Sequence, residues 1–502
     1  MKIGIDFGTS YSSAGAFRNG RIEHIMFDGQ PQFRTSVFFP DRAIDISGFE
    51  LTSLHEQEIS DGIRSAKSSY TKRLTEYNED IAAIEMRIRA AARNNKPMTE
   101  EEKAERRTII AKPYLSSDQD LRETAINAIK RRWLSDEIAK AKEADIHLDT
   151  AIFGEEAIDA LFIYESGRLV QSPKSMLGFR LERAQRDYIT EIVTRILKHI
   201  REQASLQLGQ EVAQATLGRP VKFRSSIGPD GELQAIAILT EAAVAAGFEK
   251  VDFLHEPSAA AVAYHTSSAT AHHALIIDIG GGTTDIALAE VGTGDTQPHI
   301  LSTWGEPKGG IDVDLGLSLR SVMPLFGKGV CPELLAPVFM DAASVSDLNR
   351  QKSFRDRRFT HTQLPYASRL AELQKPGIPV RLNRDVEKLK IELSETAHSA
   401  RSLNYIEPNL VAQATATHLA LAAESFMRTF QQLLAQVSTE IQKYTPVLFL
   451  TGGMSRAPYV IEAVKQAFPR CDIAPSEASL GVVDGLSVYA SLTQDVRHRK
   501  PG

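Results

Sequence analysis

The residues of this chain best equipped for chemistry lie in Leu275-Ile276-Ile277-Asp278-Ile279-Gly280-Gly281-Gly282-Thr283-Thr284-Asp285-Ile286. An apolar, β-branched run reads as a buried strand, and three glycines then form a turn that no side chain crowds. Consecutive unobstructed backbone N–H groups make a concavity that suits phosphate oxygens. Asp278 at the strand end and Asp285 beyond the Thr283 hydroxyl would repel phosphate unless a cation lay between. Mg²⁺ held mostly through its waters meets that need. Taken alone, the stretch also reads as an ordinary glycine turn.

The pattern occurs a second time at the N-terminus, as Ile3-Gly4-Ile5-Asp6-Phe7-Gly8-Thr9-Ser10. Both copies run strand, Asp, apolar residue, Gly, hydroxyl cluster, and both continue into an apolar segment and a glycine-bearing turn. Repetition of a whole supersecondary unit points to an internal duplication. Two such nests facing one another would grip a polyphosphate from both sides.

Further candidates are single residues whose plain reading competes with a functional one. Lys174 stands alone in the Pro/Gly-bounded loop Ser172–Gly178, where a solvated charge is the simpler account. Glu256 ends a strand just before Pro257, a good first helical residue, so its carboxylate either caps the helix or faces a cleft. Glu387, Lys390 and Ser394, at i, i+3 and i+7, share one helix face, as a salt-bridged surface stripe also would. Gly452 and Gly453, with Arg456 close behind, follow the apolar strand Val447–Leu450, and glycines there permit a planar or phosphorylated ligand to approach the backbone.

The elements that must position these residues form an α/β pattern with one interruption. With 502 residues the chain exceeds one ordinary core, and 42% hydrophobic and 24% charged residues are those of a soluble globular protein. A net charge of -6 and a pI near 6.2 give no reason to expect a nucleic acid or anionic membrane partner. Cys331 and Cys471, far apart, fit a reducing compartment. The N-terminus enters a strand directly, with no signal peptide pattern, and no run approaches the roughly 20 apolar residues of a membrane span. A cytoplasmic protein is expected.

From about Leu54 to Ile146 glycine and proline almost vanish. Ile59, Ile63, Ala66, Tyr70, Leu74, Tyr77, Ile81, Ile84 and Ile88 mark one stripe of a long helix. Thr99-Glu100-Glu101-Glu102 suggests a capping box for a second helix, and Asp118 a cap for a third, with Leu121, Ala125, Ile129, Trp133 and Ile138 inward. Beyond Gly310 the pattern reads as a long helical region to about residue 442.

The order Asp6–Ser10, Glu256-Pro257-Ser258-Ala259-Ala260-Ala261-Val262-Ala263-Tyr264, Asp278–Asp285, Glu387–Ser394 and Leu450–Arg456 resembles the nucleotide-binding domain of the 70-kilodalton heat-shock protein family. It is similar in particular to a shortened bacterial chaperone-like branch without the substrate-binding domain. The resemblance implies a duplicated actin-like (ribonuclease H-like) ATPase fold with two lobes around a nucleotide cleft. Residues 1–50 and 150–270 would form the first lobe, 51–149 a helical insertion, 271–492 the second lobe and 493–502 a polar tail.

It also implies ATP or ADP with Mg²⁺ as cofactors. Thr9 and Ser10, beside Gly8 and Tyr11, would meet phosphates from one turn, and Gly280, Gly281, Gly282 and Thr283 from the other. Asp6, Asp278 and Asp285 would hold hydrated Mg²⁺. Lys174 would touch the γ-phosphate, and Glu256 and Asp278 would position water. Glu387, Lys390 and Ser394 would embrace adenine and ribose, with Gly452, Gly453 and Arg456 closing the pocket.

Against the family pattern, Tyr11 stands where Asn is usual, the Arg224–Gly231 loop is unlike the family's relay segment and gives no placement for the usual relay arginine, and Ser479-Leu480 stands where an acidic residue is usual. The implied activity is ATP hydrolysis by a chaperone-like protein, with a client or regulatory partner met by the insertion. A small-metabolite kinase and a nucleotide-sensing scaffold or filament protein are the alternatives of the same superfamily.

Overall fold

A computed structural model describes residues 1–39, 49–93, 113, 115, 117–141, 151–164, 168–293, 297–475 and 480–495. Its strands are β1 (Lys2–Phe7), β2 (Tyr11–Arg18), β3 (Arg21–His24), β4 (Gln32–Arg34), β5 (Ser36–Phe39), β6 (Ile152–Phe153), β7 (Arg168–Gln171), β8 (Gln214–Arg219), β9 (Lys250–His255), β10 (His272–Ile279), β11 (Thr284–Val291), β12 (His299–Glu306), β13 (His398–Ser402), β14 (Val411–Thr415) and β15 (Val447–Thr451). The α-helices are α1 (Ser53–Arg93), α2 (Asp118–Ala141), α3 (Gly154–Tyr164), α4 (Arg183–Leu208), α5 (Pro229–Ala245), α6 (Glu256–Ser267), α7 (Gly310–Leu317), α8 (Ala336–Ala343), α9 (Leu348–Arg355), α10 (Tyr366–Leu373), α11 (Ile378–Leu393), α12 (Ala416–Glu440), α13 (Pro458–Ala467) and α14 (Gly481–Asp495).

The duplication seen in the sequence is a duplication of topology. One sheet runs β3-β2-β1-β8-β9, with β4 also on β2, and the other runs β12-β11-β10-β15. In each, a strand pairs antiparallel with its hairpin neighbour and parallel with a later strand: β1 with β2 and β8, β10 with β11 and β15. β1 and β10 are central and almost wholly buried, which is why both read as continuous apolar runs. Asp6 and Asp278 fall at equivalent ends of these two strands, and Asp278 lies opposite Asp285.

The halves are tied together by two crossing helices. α6, which follows β9 of the first sheet, packs on β10 and β11 of the second, while α14, from the end of the chain, packs on β1 and β2 of the first. Ala259, Ala260 and Ala261 share a buried cluster with Ile276, Val482 and Leu486. Backbone meets backbone at the crossing: a Cβ on Gly485 would stand 1.6 Å from the Ala259 carbonyl oxygen.

The insertion forms an antiparallel pair. α1, about 60 Å long from its 41 residues, keeps every stripe residue named above at least half-buried, with Ile59 and Ile88 buried. Lys67–Asp118, Arg122–Glu56 and Arg132–Glu58 ion pairs at 2.7, 2.5 and 2.6 Å set its register with α2. The cap of α2 is Ser117, whose hydroxyl accepts from the Asp120 N–H at 3.1 Å, rather than Asp118, which is already helical and pairs with Lys67. The helix expected from Thr99 and the Ile138 side chain lie outside the described residues.

The helical stretch expected up to residue 442 is interrupted by the β13–β14 hairpin. Its strands are short and built of small and polar residues, with Ala412 and Ala414 inward, so neither composition nor apolar run marks them.

His199 of α4 is enclosed by rings, stacked on Phe153 at 4.1 Å and near Phe27 and Phe33 at 5.7 and 5.6 Å. Burial lowers its pKa to about 4, with Asp28 opposing. The unfolded chain therefore protonates first as pH falls, and this group's stabilisation, complete above about 6.5, is lost by about pH 4. His199→Phe is expected to flatten a urea-stability profile across that window by on the order of 2 kcal/mol; an unchanged profile would contradict the assignment. Gly485→Ala is expected to cost about 3 kcal/mol or more by the same measurement, because backbone must move. Gly62→Ala, in open helical space, should cost nothing.

Candidate functional site

The two glycine turns meet. A Cβ on Gly281 would lie 2.4 Å from Ser10 Oγ, and one on Gly282 2.8 Å from Thr9 Oγ1, so the second turn must be glycine to admit the first. The Gly280 N–H closes the second turn on the Thr283 carbonyl at 3.0 Å. The start of α7 braces it, with Gly310 and Ile311 N–H groups donating to the Gly280 and Gly281 carbonyls at 3.1 and 2.8 Å. The first turn is braced by the Thr35 N–H, which donates to the Ser10 carbonyl at 2.9 Å.

Below the turns, Asp6, Glu256, Asp278 and Asp285 gather around Lys174. Lys174 donates to Glu256, and all but the half-buried Asp6 are buried. Asp285 Oδ1 accepts from the Val221 N–H at 2.7 Å, while its Oδ2 is buried with no hydrogen-bond partner. Gly452, in the left-handed region at φ 85°, brings its backbone against Asp278, where a Cβ would sit 2.6 Å from Oδ1.

The electrostatics follow from four carboxyls and one ammonium. Burial and the neighbouring Glu256 push Asp6 and Asp285 up to about 7, with Lys174 opposing. Burial, Glu256, Asp285 and Asp6 push Asp278 well above the usual carboxylate range. Burial works against the Lys174 charge, but Glu256 and Asp6 hold its pKa above the ordinary value.

On the opposite flank, α11 brings Glu387 and Lys390 to the cleft, and each has a partner. Glu387 accepts from Arg34 at 2.7 Å. Arg34 also donates to Glu155 at 2.7 Å and to the Tyr11 hydroxyl at 3.1 Å, lying 5.0 Å from that ring's centre. Against the effect of burial, Arg34 and Lys390 hold the Glu387 pKa below its ordinary value. Lys390 pairs with Asp314 of α7 at 2.9 Å; burial pushes Asp314 up to about 6, with Lys390 opposing. Ser394 turns back to donate to the Lys390 carbonyl at 3.0 Å. Gly453 and Arg456 are exposed beside this pocket.

A cavity of about 730 Å³ opens between the halves beyond the Pro173–Met176 turn, lined by Ser172, Ser175, Arg224, Asp312 and Asn349 among others. Neither glycine turn lines it, so it adjoins the carboxylate cluster without being the same site.

The family model described as Hsp70 protein matches residues 164–322, a span that contains Lys174, Glu256 and the whole second turn. The chaperone protein DnaK of Thermosipho africanus (strain TCF52B) is 28% identical over 348 residues, covering 66% of this chain and 49% of that protein. Both matches support membership of the Hsp70 family. Its duplicated sheets are the duplicated actin-like ATPase fold. It spans about half the length of the DnaK it matches.

Hsp70 proteins in general use Mg²⁺ with their nucleotide, and the chemistry of this cluster fits such an ion. Negative charge exceeds positive, and the orphaned Asp285 oxygen has a place for a donor. Among the described residues, no three acidic, His or Cys side chains converge on one point as direct ligands. An ion that keeps most of its waters is the kind such a floor holds.

Three groups at this site carried no signal in the sequence. Arg34 and Glu155 read as isolated charges, yet they join Tyr11 to α11, with Glu155 also 3.0 Å from Arg384. Arg224, in the polar loop after β8, forks onto Asp312 at 2.8 and 3.1 Å and reaches the Gly282 carbonyl at 3.4 Å. Ser479 lies outside the described residues.

Removing Arg34 leaves Glu387 buried without its cation. Arg34→Met is expected to lower unfolding stability by about 3 kcal/mol, and Arg34→Met/Glu387→Gln to recover much of it. Strictly additive losses in urea titrations would contradict that coupling.

Proposed function

We propose that this chain binds ATP and ADP between its two lobes and hydrolyses ATP, as a chaperone-type ATPase. The observation that carries the reading is the meeting of Thr9 and Ser10 with Gly281 and Gly282 above a floor of four carboxyls and one lysine. Phosphoryl transfer to water is mostly positioning and charge neutralisation, and this inventory supplies both.

Each residue then has a role. Backbone N–H groups of Gly8–Tyr11 and Gly281–Thr283, with the Thr9, Ser10 and Thr283 hydroxyls, hold phosphate oxygens from two sides. Asp6, Asp278 and Asp285 would hold Mg²⁺ through its waters, and the ion would supply neutralisation of the charge that the phosphates bring. Lys174 exchanges part of its contact with Glu256 for the terminal phosphate. Asp278 and Glu256 accept from the attacking water and orient its oxygen toward phosphorus. Raised pKa values in the ligand-free floor favour this use, since carboxyls held partly protonated ionise when a cation arrives.

Glu387, Lys390 and Ser394 take the adenine and ribose, with Gly452, Gly453 and Arg456 opposite. Arg34 and Asp314 release Glu387 and Lys390 as the nucleoside enters. Lobe closure about the α6–α14 crossing is the switch, between a first lobe of 1–50 and 150–270 and a second of 271–492, with α14 packed on the first sheet. A protein client or regulator is the partner that fits a chaperone-type switch, in a cytoplasmic setting. Among the described residues no helix is long and apolar enough to cross a membrane.

Single-turnover hydrolysis is the test. Asp278→Asn and Lys174→Ala should each slow the step by about 100-fold or more while ADP affinity falls far less. Unchanged single-turnover rates in both variants would remove this active site.

A further inference from the structure

α11 is held from the first half of the chain on two sides. Its cleft-facing Glu387 takes Arg34, while its next residue, Lys388, points outward to the insertion, 3.5 Å from Asp120 and 3.8 Å from Glu123 of α2. Arg401 of β13 lies 3.9 Å from Asp120, and Arg73 of α1 donates to Asn409, in the β13–β14 turn, at 3.2 Å. All but the Arg34–Glu387 pair join the insertion to one unit, residues 378–415. The insertion is itself fixed to the first lobe, because α2 packs on α3 and Lys130 lies 3.9 Å from Glu156.

The charges are sorted by side. Asp120, Glu123 and Glu155 face the gap from the first half, while Arg384, Lys388 and Arg401 face it from the second. Arg384 and Lys388 are one helical turn apart, so a single face of α11 presents both. Asp120 is well placed for the work: despite burial, Ser117, Lys388 and Arg401 hold its carboxyl below the usual range.

We propose that the helical insertion is an interlobe clamp, reaching across the mouth of the cleft to hold α11 against the first lobe and so slow the release of bound nucleotide. The release effect rests on the nucleotide reading above. Opening the cleft moves α11 away from the first lobe. The outer Lys388 contacts with Asp120 and Glu123 break in the same motion. Lys388 is thus a positioning residue that never touches nucleotide, and the outer pairs, being partly exposed, are screened by salt. A partner that draws the insertion away would speed exchange without entering the cleft.

Two measurements test this separately. In ligand-free protein, zero-length carbodiimide coupling read by mass spectrometry should join Lys388 to Asp120 or Glu123. Stopped-flow release of fluorescent ADP should be about two- to five-fold faster in Asp120→Asn and in Lys388→Met. The double variant should be no faster than the faster single one. A wild-type chain that takes up no ADP overturns the nucleotide reading and the release effect with it. A chain that binds ADP but shows no Lys388 cross-link, or releases ADP from Lys388→Met at the wild-type rate, overturns the clamp alone.

Discussion

Four carboxyl groups packed around a single ammonium form a cluster that folding alone does not favour. Burying charge costs free energy unless it is paired, and here Lys174 is shared among Asp6, Glu256, Asp278 and Asp285. The cluster persists because strong elements hold it: Asp6 and Asp278 lie near the ends of two largely buried central strands, Asp285 near the start of the partner of one, and Glu256 starts the crossing helix. On the nucleotide reading proposed above, a bound cation relieves that imbalance.

The proposed lobe closure sets a second constraint, that two halves move relative to one another without separating. The α6–α14 crossing supplies a fixed point, since Gly485 against Ala259 leaves no room for side chains. Away from that point, the contacts between halves are polar: Arg34 with Glu387, Arg224 with Asp312, Gln185 with Asn349, Lys388 with Asp120. Apolar packing at the crossing and exchangeable charge at the rim are the properties of a hinge and its latch.

Much of this was legible in the sequence where the signal is local. The strand–Asp–glycine pattern needs only neighbouring residues, and its two copies became two sheets of the same order. The α1 stripe was readable for the same reason, its period being a property of one helix. The positions of Lys174 and Glu256 in their loops were readable, but their contact was not, because 82 residues separate them. Arg34 and Glu387 are 353 residues apart, Arg224 and Asp312 88, and nothing in the composition around either arginine sets it apart from a solvated charge. The β13–β14 hairpin escaped notice because alternation over five small and polar residues is too weak to stand against the helices on either side.

The central claim is that four segments distant in sequence form one nucleotide site. Hydrogen exchange of the chain with and without Mg²⁺ and ADP tests it most directly, because it reads every segment at once. Binding is expected to slow exchange together at residues 8–11, 280–284, 385–394 and 452–456. Exchange unchanged at these four segments, or slowed only elsewhere, would contradict the account.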